Sequence, residues 1–150
     1  MDINEDFTRL IEKKVGDFDI VSIPSIKKYA LPAYHIIAFS EASTNLAKYT
    51  GLRYGAADKI DGLYSEYFSK IRSNYFEKET KRRIILGTFA RMAGFREAYY
   101  LKALKVRTLI IDEYQRALKK YDTLISPTTV TTALKFSDIK KLTPLQHYQM

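Results

Sequence analysis

Residues 81–110, KRRIILGTFARMAGFREAYYLKALKVRTLI, read as helix almost without a pause, yet carry Lys or Arg at 81, 82, 83, 91, 96, 102, 105 and 107. Apolar residues recur three and four apart along the stretch, the spacing that lines one face of a helix. The fold class turns on this block. Helices are expected at about 61–74, 77–94 and 96–121. The last carries Tyr99, Ala103, Val106, Leu109, Ile110, Tyr114, Ala117, Leu118 and Tyr121 in a stripe wide enough to face a core.

Upstream, INEDFTRLIEKK at 3–14 sets Ile3, Phe7, Leu10 and Ile11 at helical spacing, with acids early and Lys late to suit the helix dipole. Gly16 ends that helix, and DFDIVSIP alternates apolar and polar residues up to Pro24, as a short strand at 18–23 would. A long helix is expected from about Leu31, with Pro32 tolerated in its first turn, to just before Gly51. TGLRYGAADKIDGL, residues 50–63, contains three glycines and reads as a loop. A second β-rich run, near 123–126, ends at Pro127. Two short strands do not make a stable sheet. The expected class is therefore α/β: a helix-rich chain with about two short strands of a larger mixed sheet whose other strands lie elsewhere.

At 150 residues the chain has the size of one ordinary domain, and 46% hydrophobic with 28% charged residues is a globular composition. Twelve Tyr and eight Phe stand beside no Trp, which suits half-buried helix faces and polar pocket walls. The absence of Cys excludes a disulfide framework, a thiol nucleophile and any Cys-ligated metal. The acidic N-terminus has no apolar core of a secretory signal, and no run approaches the length of a membrane span. A cytoplasmic protein is expected. The formal charge of +8 favours contact with a polyanion, but charge speaks to association and not to chemistry.

Four ordered blocks carry more. They are LPAYHIIAFSEASTNLAKYTGLRYG at 31–55, KRRIILGTF at 81–89, AYYLKALKVRTLI at 98–110 and YDTLISPTTVTTA at 121–133. Together they closely resemble the amidase signature family, and within it the A subunits of the glutamyl-tRNA(Gln)/aspartyl-tRNA(Asn) amidotransferases. TPLQHYQM at 143–150 resembles the start of that family's PLxxY helix. The resemblance implies that residues 1–150 are a single partial amidase-signature domain from the C-terminal half of the fold. It implies further that the parent subunit releases ammonia from glutamine with a Ser–Ser–Lys triad. The ammonia then passes to a partner subunit that amidates mischarged tRNA. The triad belongs to a Lys-bearing strand and a Gly/Ser-rich loop upstream of the matching segment, so no catalytic residue is expected in this chain and it is expected to be inactive alone. No cofactor is expected on it either; ATP and Mg belong to the partner subunit. The implied partners are the other amidotransferase subunits, tRNA through the complex, and glutamine, with no membrane.

Two positions inherit a binding role from the resemblance. Tyr34, the Tyr of the P-x-Y segment, matches a residue lining the glutamine pocket. Arg83, the second Arg of the KRR block, matches the group that grips the α-carboxylate of glutamine. Its planar fork can bind a carboxylate through two parallel hydrogen bonds, which Lys cannot. Lys81 and Arg82 are expected in solvent, and Arg83 is expected to turn inward ahead of the apolar IILG. The family's acid for the amino group of glutamine follows the PLxxY segment and so falls beyond Met150. Glu41 and Asn45, one helical turn apart, either face the pocket or brace it, bracing being the better fit. His35 and His147 have no acids at metal-ligand spacing and suggest no metal site. The alternatives are another amidase of the same family, for which a carboxylate clamp at Arg83 has no purpose if its amide is apolar, and a non-catalytic basic helical protein that binds tRNA or a partner.

Overall fold

The computed structural model describes residues 3–129, 133–143 and 146. The helices are α1 (Ile3–Val15), α2 (Leu31–Asn45), α3 (Tyr64–Tyr75), α4 (Lys78–Arg91), α5 (Lys102–Leu118) and the one-turn α6 (Phe136–Ile139). π-helical turns at Ile26–Ala30 and Glu97–Leu101 lead into α2 and α5, and a 3₁₀ turn at Leu46–Lys48 follows α2. The chain divides into two compact units, Pro24–Asp112 and Met1–Ile23 with Glu113–Met150.

Within Pro24–Asp112 the most extensive packing is α2 against α4. The two helices meet through small residues. Ser40, Ser43 and Ala33 of α2 and Gly87 and Ala90 of α4 are buried. Gly87 lies at the closest point. A Cβ there would fall far inside the contact distance of the Phe39 carbonyl and 2.9 Å from the Ser40 nitrogen. The buried hydroxyls do not go unsatisfied at this seam. Ser40 Oγ donates to the Ile36 carbonyl at 2.7 Å and Ser43 Oγ to the Ser40 carbonyl at 2.8 Å. Such back-bonding to the preceding turn lets a helix bury a serine without stranding a polar group. Arg91 Nη2 then donates to Ser43 Oγ at 3.0 Å, which ties the end of α4 to α2.

The loop expected at 50–63 is folded onto α3. Tyr67 is 2% exposed, and its hydroxyl donates to the Gly51 carbonyl at 3.2 Å. The Asp58 amide donates to the same hydroxyl at 3.5 Å, and Lys70 pairs with the Asp58 carboxylate at 3.3 Å. Gly51 meets the steric demand of this contact, with φ of 78° and a missing Cβ that would sit 2.9 Å from the Tyr67 oxygen. At the start of α3, Glu66 Oε2 accepts the Leu63 amide at 3.3 Å. Arg72 Nη2 donates to the Ala47 carbonyl at 3.1 Å, joining α3 to the end of the α2 segment. At the end of α4, the rings of Phe89, Phe95 and Tyr99 cluster, with the first two centroids 4.5 Å apart.

In the other unit, Gly16 closes α1 by donating its amide to the Glu12 carbonyl at 3.2 Å. Tyr121 donates its hydroxyl to Asp19 at 2.7 Å, and Lys120 approaches the same carboxylate at 3.9 Å. The two strands expected at 18–23 and 123–126 are not present; no strand occurs among the described residues. Alternation reports which faces a strand would bury, but a strand exists only through ladder hydrogen bonds to a neighbour. Neither segment has one. Ile20, the residue that alternation would turn toward a core, is 87% exposed. The helix expected at 143–150 lies almost wholly outside the described residues. The expected helices at 61–74, 77–94 and 96–121 are observed as α3, α4 and the π turn with α5.

Two substitutions test these contacts. Gly→Ala at an open helix position gains up to about 1 kcal/mol, but at Gly87 the new methyl meets backbone, and a net loss of about 2 kcal/mol is expected. Thr88→Ala, on the exposed side of α4, is the control. Urea unfolding followed by far-UV circular dichroism reads both, and a Gly87→Ala chain as stable as the parent would show that the helices do not meet at this point. Tyr67→Phe removes the loop's clasp and is expected to cost about 1–2 kcal/mol. It should also speed tryptic cleavage at Arg53 and Lys59; unchanged cleavage at both would mean that the loop is held by something else.

Candidate functional site

Tyr34 sits in the first turn of α2, where Pro32 occupies one of the two opening positions. That turn needs no amide from residue 32, so the Leu-Pro-Ala-Tyr sequence can start a helix and present the phenol at its outer end. The phenol is exposed. Its ring lies 5.3 Å from that of His35, and His35 lies 5.2 Å from Phe39. The guanidinium of Arg83 stands over the Phe39 ring at 5.6 Å. Tyr34, His35, Phe39 and Arg83 thus form a continuous run along the α2–α4 pair. The two residues singled out in the sequence belong to one surface, joined through His35 and Phe39.

The expected inward turn of Arg83 is not observed. Its side chain is about half exposed and lies along the surface of α4, with Nε donating to Glu79 Oε1 at 2.9 Å. One helical turn separates the pair, and the Phe39 ring lies beneath Arg83 Cζ, so both partners draw the side chain across the helix and not into it. Arg82 shares the same carboxylate, its Nη1 3.5 Å from Glu79 Oε2. Lys81 differs from expectation as well. It is half-buried, and its Nζ donates to the Ser73 carbonyl at 2.6 Å near the end of α3, where helix carbonyls lack intrahelical donors.

Glu41 and Asn45 line a separate open cleft of about 340 Å³ with Ser40, Thr44, Arg91 and Tyr100. They face this cleft further along α2, away from the Phe39–Arg83 contact. Sequence reasoning missed Arg91, Glu79 and Phe39. The Glu79–Arg83 pair was legible in its four-residue spacing. The contacts of Arg91 and Phe39 were not, because each joins two helices far apart along the chain. Among the described residues no helix is long and apolar enough to cross a membrane.

Residues 4–150 match the amidase family. The chain belongs to that family. Among curated relatives, the A subunit of the glutamyl-tRNA(Gln) amidotransferase of Carboxydothermus hydrogenoformans is 48% identical over 144 residues, 96% of this chain and 29% of the relative. Its counterpart of the same name from Archaeoglobus fulgidus is 46% identical over 151 residues, 99% of this chain and 32% of the relative. That from Sulfolobus acidocaldarius is 44% identical over 146 residues, 96% of this chain and 30% of the relative. The chain thus spans about a third of the length of the relatives it matches, and the similarity runs through both the α2 and the α4 blocks.

Proposed function

We propose that this chain is part of the glutamine-hydrolysing A subunit of a tRNA-dependent amidotransferase, in which Tyr34 and Arg83 help to bind glutamine. The observation that carries the reading is the similarity to relatives of that name over nearly the whole chain, bacterial and archaeal alike. Residues 1–150 are then one partial amidase-signature domain. Arg83 supplies the charge and fork for the α-carboxylate of glutamine, and Tyr34 supplies a ring wall with a hydroxyl at its edge. A carboxylate clamp suits an amino-acid amide and has no purpose for an apolar one, which favours this reading over another amidase. The ammonia released passes to a partner subunit, where ATP and Mg serve the amidation of Glu-tRNA(Gln) or Asp-tRNA(Asn). The complex works in the cytoplasm.

On this reading the Ser–Ser–Lys nucleophile and base belong to a part of the subunit outside residues 1–150, and binding groups alone form no acyl-enzyme. Incubated with glutamine, the 150-residue chain is expected to release no ammonia above the buffer blank; sustained release from contaminant-free protein would overturn this. In the complete enzyme, a charge-assisted hydrogen bond contributes about 1.5–3 kcal/mol, so Arg83→Ala should lower glutamine kcat/KM at least about tenfold. Arg83→Lys keeps the charge but loses the fork, and should fall between the two. Amidation supported by free ammonia should be nearly unchanged, because it bypasses the glutamine pocket. Equal losses with both nitrogen sources would mean that Arg83 supports folding or contact with a partner.

A further inference from the structure

Arg83 meets two groups of different chemistry from two different helices. Glu79 engages Nε at 2.9 Å from one turn earlier on α4, and Phe39 of α2 lies beneath the guanidinium at 5.6 Å. A hydrogen bond at Nε and a ring under Cζ together restrict the rotations open to the end of a long arginine side chain. We infer that Glu79 and Phe39 are positioning residues that hold the Arg83 guanidinium in one orientation to receive a substrate carboxylate. The inference rests on the reading of Arg83 as the carboxylate clamp.

A guanidinium offers paired N–H bonds along its side, through Nε and one Nη, or across its end, through the two Nη groups. Glu79 engages the Nε side, and by fixing that side it fixes the direction of the whole planar fork. An acid so close to an anion site would ordinarily oppose the ligand. Here Glu79 is shared with Arg82, its Oε2 3.5 Å from Arg82 Nη1. Glu79 thus stands between two guanidinium groups. Arg82 is therefore a counter-charge that offsets part of the repulsion between Glu79 and a bound carboxylate.

The test uses the complete enzyme with glutamine or free ammonia as nitrogen donor. Ordering one long side chain on binding weakens affinity about two- to twelvefold, so Glu79→Ala should raise KM for glutamine by that factor with kcat within about twofold of the parent. Glu79→Gln retains an acceptor for Nε and should recover part of the loss. Phe39→Leu should raise KM in the same way. Ammonia-dependent amidation and thermal stability should be unaffected by either Glu79 variant, since an exposed pair of this spacing contributes little to folding. In an Arg83→Ala background, Glu79→Ala should add almost nothing, because there is no guanidinium left to orient. If Arg83→Ala impairs glutamine use while Glu79→Ala leaves KM unchanged, the positioning role is wrong and the clamp stands. If Arg83→Ala itself has no effect on glutamine kinetics, the clamp is wrong and the positioning role falls with it. A Glu79→Ala loss that persists undiminished in the Arg83→Ala background would also overturn the inference.

Discussion

The structure of Pro24–Asp112 depends on one close approach, that of Gly87 to the backbone of Phe39 and Ser40. Any side chain at 87 would separate the helices there, and with them every residue that reaches from one to the other. Small residues spread along both helices turn the approach into a seam. Ser40 and Ser43 can be buried in it because each returns its hydroxyl hydrogen to its own helix. Arg91 can bridge it because Ser43 is within reach. Arg83 lies over Phe39 because Gly87, one turn further along α4, has already brought the two backbones together.

Much of the remaining cohesion comes from side chains that bond to backbone carbonyls. Tyr67 clasps the loop after α2 through Gly51, Arg72 reaches Ala47, and Lys81 reaches Ser73. Each tie places a cationic or phenolic donor on a carbonyl that loop or helix-end geometry leaves without a regular partner. Several of the charges that make the chain basic therefore have a structural task. This shifts the meaning of the +8 charge, since a residue engaged in such a contact is less available to an outside polyanion.

Membership of the amidase family accounts for what looks incomplete. A chain that covers about a third of its relatives' length, with segments at 18–23 and 123–126 that join no sheet and apolar residues such as Ile20 in solvent, has the character of a part. Its own core is modest: Tyr67, Ile71, Ala33, Ala90 and Ala103 are the buried apolar residues among those described. The proposed glutamine-binding run of Tyr34, Phe39 and Arg83 is accordingly a surface here, and only a surface that is covered by further chain becomes a pocket.

Helical periodicity, Pro32 and Gly16 were enough to place α1 to α5 from sequence, because each is a local property of the chain and survives whatever the tertiary context. The four family blocks likewise pointed to Tyr34 and Arg83, since motif position needs no coordinates. Strand partners were beyond reach, because a ladder is a relation between segments and alternation describes only one of them. The same limit explains the misreading of the KRR block. Sequence placed Arg83 inward and Lys81 in solvent from their apolar and polar neighbours. The outcome was set by contacts across helices, Phe39 beneath Arg83 and the Ser73 carbonyl within reach of Lys81, which depend on where Gly87 lets α4 come to rest.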